Sequence, residues 1–115
     1  MHSKFYVSLE AARLLKEKGY DRECISYYHD NCREVDYSFC GERNSTWEER
    51  CVSAPTKAEA IDWLESKGII IEVLQDYRGL WFYVIKEFFV DENDPYFQTR
   101  LEAEEAAIIK ALELI

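Results

Sequence analysis

From Ser53 to Val73 the chain writes out one helix with both ends marked and runs directly into a strand. That order leaves little freedom to the residues on either side. Pro55 holds Ala54 extended and stops the helix growing backwards. Thr56 and Glu59 form a capping box, each side chain satisfying a backbone N–H near the other residue. Gly68 supplies the left-handed residue that ends the helix, with Ile69 returning to Leu64. Between these marks Ile61 and Leu64 are expected to face the core, with Trp63 beside them on a boundary.

The same chemistry closes an earlier helix, expected from about Leu9 to Lys18. Ser8 is its N-cap, Glu10 suits the positive end of its dipole, and Lys16 and Lys18 suit the other. Gly19 stops it and Tyr20 folds back on Leu15. A third helix is expected from the capping pair Thr99 and Glu102 to the last residue, with Leu101, Ile108, Leu112 and Ile115 on one face. Ala106, Ala107 and Ala111 allow close approach to its neighbours.

Ile69 to Leu74 and Leu80 to Lys86 are rich in branched and aromatic residues around the turn Gln75-Asp76-Tyr77-Arg78-Gly79, which reads as a β-hairpin. Ile69, Ile71 and Val73 are expected on one face with Trp81, Tyr83 and Ile85, leaving Glu72 and Lys86 on the wetter one. Phe88, Phe89 and Val90 extend the second strand, and Asp91 to Pro95 form a polar loop. Nearer the start, Glu23 to Tyr28 and Val35 to Phe39 read as a second hairpin turning near Asp30-Asn31. Gly41 to Arg50 reads as a polar loop or a short helix. The expectation is a single α+β domain over residues 1–115, ordered helix–hairpin–helix–hairpin–helix, with a small antiparallel sheet packed against helices.

A formal charge of −9 argues against direct nucleic-acid or anionic-membrane binding, because a field of that sign repels phosphate. The imbalance grows along the chain: residues 91–115 hold seven acidic residues against two basic ones. No secretory signal opens the sequence and no apolar run reaches the length of a membrane span. The expectation is a cytoplasmic protein with reduced cysteines, monomeric or a weak homodimer.

Val7-Ser8-Leu9-Glu10-Ala11-Ala12-Arg13-Leu14-Leu15-Lys16-Glu17-Lys18-Gly19-Tyr20 and the later Ser53-Ala54-Pro55-Thr56 entering a helix that carries Trp63-Leu64 resemble a group of small uncharacterised proteins. These come from phages, prophages and conjugative elements of Bacteroidetes-type bacteria. An aromatic hairpin like Trp81-Phe82-Tyr83-Val84 and a closing acidic helix like Leu101-Glu102-Ala103-Glu104-Glu105-Ala106 complete the likeness. It covers nearly the whole chain, through motifs that are mainly structural punctuation. Residues 40–51 depart from it, carrying Cys40, Cys51 and a charged loop. The resemblance implies a mobile-element setting and an unknown function, and it brings no catalytic residues or cofactor with it.

Cys24, Cys32, Cys40 and Cys51 fall within a short span that also holds His29. A Cys24/His29/Cys32/Cys40 zinc site is conceivable, but structural zinc sites build on tighter Cys pairs. Reduced cysteines acting as small hydrophobes are the favoured account. His29 could pair with Cys24 or Cys32, yet nothing marks an oxyanion hole or a third orienting group. No phosphate-binding glycine loop or HExxH motif is present. No catalytic, cofactor-binding or metal residues are assigned, and the chain is not expected to be an enzyme. The Asn44-Ser45-Thr46 sequon reads as a coincidence of a polar loop. Trp81, Phe82, Tyr83, Phe88 and Phe89 lack the basic company that base-stacking surfaces carry, so core packing and a dimer surface are expected of them.

Three functional readings follow. The first is a non-enzymatic accessory module of a mobile element that binds another protein, or itself, through the hairpin or a helix face. The second is an acidic inhibitor imitating nucleic acid, which needs carboxylates in rows along the last helix and Asp91, Glu92 and Asp94. The third is a small zinc-stabilised binding domain. The first is preferred.

Overall fold

The computed structural model describes residues 3–47, 50–86 and 96–115. A 3-10 turn at Ser3–Phe5 precedes helix α1, Leu9–Glu17, and strands β1, Cys24–His29, and β2, Asp36–Glu42. Strand β3, Cys51–Ser53, leads to helix α2, Lys57–Ser66. The hairpin strands are β4, Ile71–Gln75, and β5, Trp81–Ile85, and helix α3 spans Arg100–Glu113.

Among the described residues the fold is α+β, with three helices and two antiparallel sheets, and this overturns the expected order and its single small sheet. β1 pairs with β2 on one side and β3 on the other, in the order β2-β1-β3, while β4 and β5 form a separate two-stranded sheet. The strand that breaks the helix–hairpin–helix–hairpin–helix order is β3. Its three residues, Cys51-Val52-Ser53, are too few to display an alternating pattern, and the sequence reading assigns them no element. Pairing with β1 supplies what the local sequence does not, and Ala54 continues it by donating to the Ser26 carbonyl.

Helix ends follow the local chemistry closely. The Ser8 hydroxyl accepts from the Ala11 N–H at 3.1 Å. Gly19, at φ 98°, donates to the Lys16 carbonyl, and Tyr20 donates to Leu15. Gly68, at φ 87°, and Ile69 repeat this with Glu65 and Leu64, so both helices end in a Schellman motif. Both halves of the Thr56–Glu59 capping box are present. At α3 the Thr99 hydroxyl accepts from Glu102, and the helix stops at Glu113, short of the expected end.

One continuous core runs through Leu15, Tyr20, Tyr28, Leu64, Ile108 and Leu112. α3 packs on α1, α2 and both hairpin strands. Its buried stripe is Ala103, Ala107 and Ala111 with Ile108 and Leu112, whereas Leu101 sits at the margin and Ile115 is exposed. In α2 the expected positions trade places: Trp63 is buried and Ile61 is half-buried. The cause is Tyr20, whose ring meets Trp63 edge-on at 5.4 Å just beyond the end of α1. The hairpin register is regular, Ile71 opposite Ile85, Val73 opposite Tyr83 and Gln75 opposite Trp81. Those residues share the face turned to α3, and Glu72 pairs with Lys86 at 3.0 Å on the other. Phe88 to Pro95, expected as a strand extension and loop, lie outside the described residues.

Candidate functional site

Strand geometry disperses the cysteine and histidine candidates. Cys24 and His29 stand at opposite ends of β1, roughly 16 Å apart at the rise of a strand, and on opposite faces of it. They cannot share a tetrahedral ion. Cys24 is buried, its Sγ 3.3 Å from the Ser26 carbonyl and hydroxyl oxygens, while Cys32 is exposed in the turn after β1. Cys51 is buried on β3 directly across the ladder from His29, whose Nδ1 lies 3.2 Å from the Asp30 carboxylate. None of Cys24, Cys32 and Cys51 is in a disulfide. The Cys40 side chain lies outside the described residues. Among the described residues no three His, Cys, Asp or Glu side chains gather closely enough to hold a metal ion.

The sequon asparagine serves as a tether. Asn44 is buried, its side-chain amide donates to the Tyr20 carbonyl at 2.7 Å, and its Oδ1 accepts from the Ser53 N–H at 2.9 Å. Two of the carboxylates of α3 are engaged within the fold. Glu104 accepts from Arg100 at 3.0 Å, and Glu105 turns inward to accept from the Ser8 N–H at 2.6 Å. Asp91, Glu92 and Asp94 lie outside the described residues.

A cleft of about 1020 Å³ opens between the start of α1, the start of α2 and one side of α3. Lys57 lines it at the first position of α2, buried, with its ammonium donating to the Lys4 carbonyl. Burial pulls the Lys57 ammonium below its ordinary value, opposed by the charges of Glu105 and Glu104. Nothing in the sequence reading pointed to this lysine, although a cation at a helix N-terminus opposes the dipole and is itself a signal. Across the cleft, Oε2 of Glu105 is sealed from solvent without a hydrogen-bond partner. The cleft wall also carries Glu10 paired with Arg33, and Arg100 and Glu102 at the start of α3.

The outer face of the β4–β5 hairpin is differently made. Leu74 lies opposite Phe82 on it, and Phe82 meets Tyr96 edge-on at 5.8 Å. The Arg78 guanidinium sits 4.7 Å above the Tyr96 ring. Leu74 is 43% exposed, Tyr96 51% and Tyr77, at the tip of the turn, 96%. Asp76 fixes that turn: its carboxylate accepts from the Arg78 and Leu80 N–H groups and from the Arg78 guanidinium. Desolvation pushes the Asp76 carboxyl up, but these bonds outweigh it and hold it below the usual carboxylate range. Gly79, at φ 84°, completes the reversal. The tip is therefore held firmly while its large side chains face outward.

The chain matches no family model, no curated protein and no solved structure. No helix among the described residues is long and apolar enough to cross a membrane. The sequence reading places Leu74, Tyr77 and Phe82 in the hairpin but singles out none of Leu74, Tyr77 and Tyr96 for a contact. The available signal was a tyrosine beside an arginine in a tight turn, where a structural role asks for small polar residues.

Proposed function

We propose that this chain is a non-enzymatic interaction module, an accessory protein of a mobile genetic element, that works in the cytoplasm and binds another protein through the outer face of the β4–β5 hairpin. The observation that carries the reading is the grouping of exposed Leu74, Tyr77 and Tyr96 with Arg78 on a rigid turn. Tyrosine and arginine dominate the energetics of protein interfaces, because each joins a large contact area to directional hydrogen bonding. A turn locked by Asp76 lets these groups bind with little further ordering cost. The mobile-element setting rests on the resemblance of the helix ends, the aromatic hairpin and the acidic helix.

The test is comparative capture from a lysate of the host cell, read by quantitative mass spectrometry. Three baits are compared: the native chain, a Tyr77→Ser/Tyr96→Ser variant, and an Asp62→Ser control on the exposed side of α2. A protein held by the native chain and the control, and lost with the double variant, is the expected result. Equal capture by all three baits, or enrichment of nothing by the native chain, would end the proposal.

A further inference from the structure

Among the described residues the two edges of the hairpin differ: that of β5 is bridged at Trp81 and that of β4 is unpaired. On β5, Trp81 exchanges backbone hydrogen bonds with Phe97, each at 2.8 Å, so a third segment caps that side. Among the described residues no strand pairs with the other edge of β4. The Lys86-to-Ile70 and Asp76-to-Leu80 bonds set the phase of the ladder, which turns the N–H and C=O groups of Ile71, Val73 and Gln75 away from β5. An edge of this kind is ordinarily blunted by lysine, proline or a bulge. Ile70-Ile71-Glu72-Val73-Leu74-Gln75 has no proline or lysine and pairs without a bulge.

We infer that β4 pairs antiparallel with β4 of a second copy of this chain, joining two hairpins into one four-stranded sheet about a two-fold axis at Val73. The inference rests on the reading of the hairpin as the contact element and names one partner for its edge. Charge permits the place and bears on the register. Within residues 69–86 the acidic Glu72 and Asp76 are balanced by Arg78 and Lys86, whereas the whole chain carries −9. Two copies therefore meet at this segment without a net charge of its own to oppose them.

An axis at Glu72 would set that carboxylate against itself. An axis at Leu74 would set Glu72 against Asp76. An axis at Val73 sets Glu72 of one copy opposite Leu74 of the other, and Asp76 opposite Ile70, so no like charges face each other. In that register Val73 exchanges hydrogen bonds with its own counterpart, and Ile71 does so with Gln75 in both directions. Strand addition of this kind draws its affinity from the backbone and its specificity from alternate side chains. The interface is isologous, so it closes at two copies.

The register supplies its own test, at a position whose exposure lets the fold tolerate change. The self-association of the full chain is measured by sedimentation equilibrium over a range of concentrations, for the native protein, Leu74→Glu and Leu74→Lys. The native chain is expected to approach twice the monomer mass. Leu74→Glu faces Glu72 of the other copy twice over, so its dissociation constant should rise about tenfold. Leu74→Lys faces the same carboxylates with opposite charge and should associate at least as well as the native chain. A native chain that stays monomeric, or two variants that weaken association equally, overturns the inference. Capture of a different protein through Tyr77 and Tyr96 would be unaffected by a monomeric result, so the two readings fail separately.

Discussion

Asn44 joins three segments that are distant in sequence: the turn it belongs to, the carbonyl of Tyr20 just beyond α1, and the N–H of Ser53 in β3. Replacing it with alanine strands a buried donor and a buried acceptor together. Asn44→Ala should cost about 3 kcal/mol, read as a lower urea midpoint at unchanged slope. Tyr28 gives a second expectation at this scale. Burial raises its hydroxyl from the ordinary 10.0 to about 12, and the hydroxyl donates to the Val7 carbonyl. Below pH 10 both states keep the proton and the contribution is constant. Above it the unfolded chain releases the proton while the fold retains it, so stability falls as pH climbs from 10 towards 12. Tyr20 is shifted upward by burial as well and adds to the same slope. Denaturation series at stepped alkaline pH should show the decline, and Tyr28→Phe should make it shallower.

Secondary-structure elements differ in how much of themselves they announce. The ends of α1 and α2 are legible because capping and left-handed glycine are contacts within a few residues. The face α2 buries is less so: Trp63 and Ile61 are neighbours on the helix, and the choice between them was made by Tyr20, which arrives from another part of the chain. β3 was illegible for a related reason, since its identity lies in the pairing with β1 and in Trp47, whose indole donates to the Ser53 hydroxyl at 2.7 Å. The candidate site divides along the same line. A hairpin bearing aromatics was readable; the outward aim of Tyr77 and Tyr96 depends on the turn geometry and on Phe82. For α3, Ala103, Ala107 and Ala111 are fully buried along one stripe. Ala107→Leu would force methyl groups into space already filled and should cost roughly 2 kcal/mol, with a matching loss of melting temperature.

For the molecule as a whole, charge and shape act together. A net −9 opposes any meeting of two copies, while the segment around β4 is neutral. Adding salt shortens the range of that repulsion to about 10 Å at 0.1 M and leaves backbone pairing untouched. Self-association should therefore strengthen from low to moderate salt; a complex that weakens instead would mean that attraction between unlike charges holds it. The chain's three Trp residues also divide the fold among themselves: Trp47 braces the three-stranded sheet, Trp63 is buried beside Tyr20, and Trp81 bonds to Phe97 at the hairpin edge. Retaining one indole at a time gives each region a separate fluorescent witness. Whether the two sheets melt as one body or in turn then becomes a question of comparing emission curves, without any dye attached.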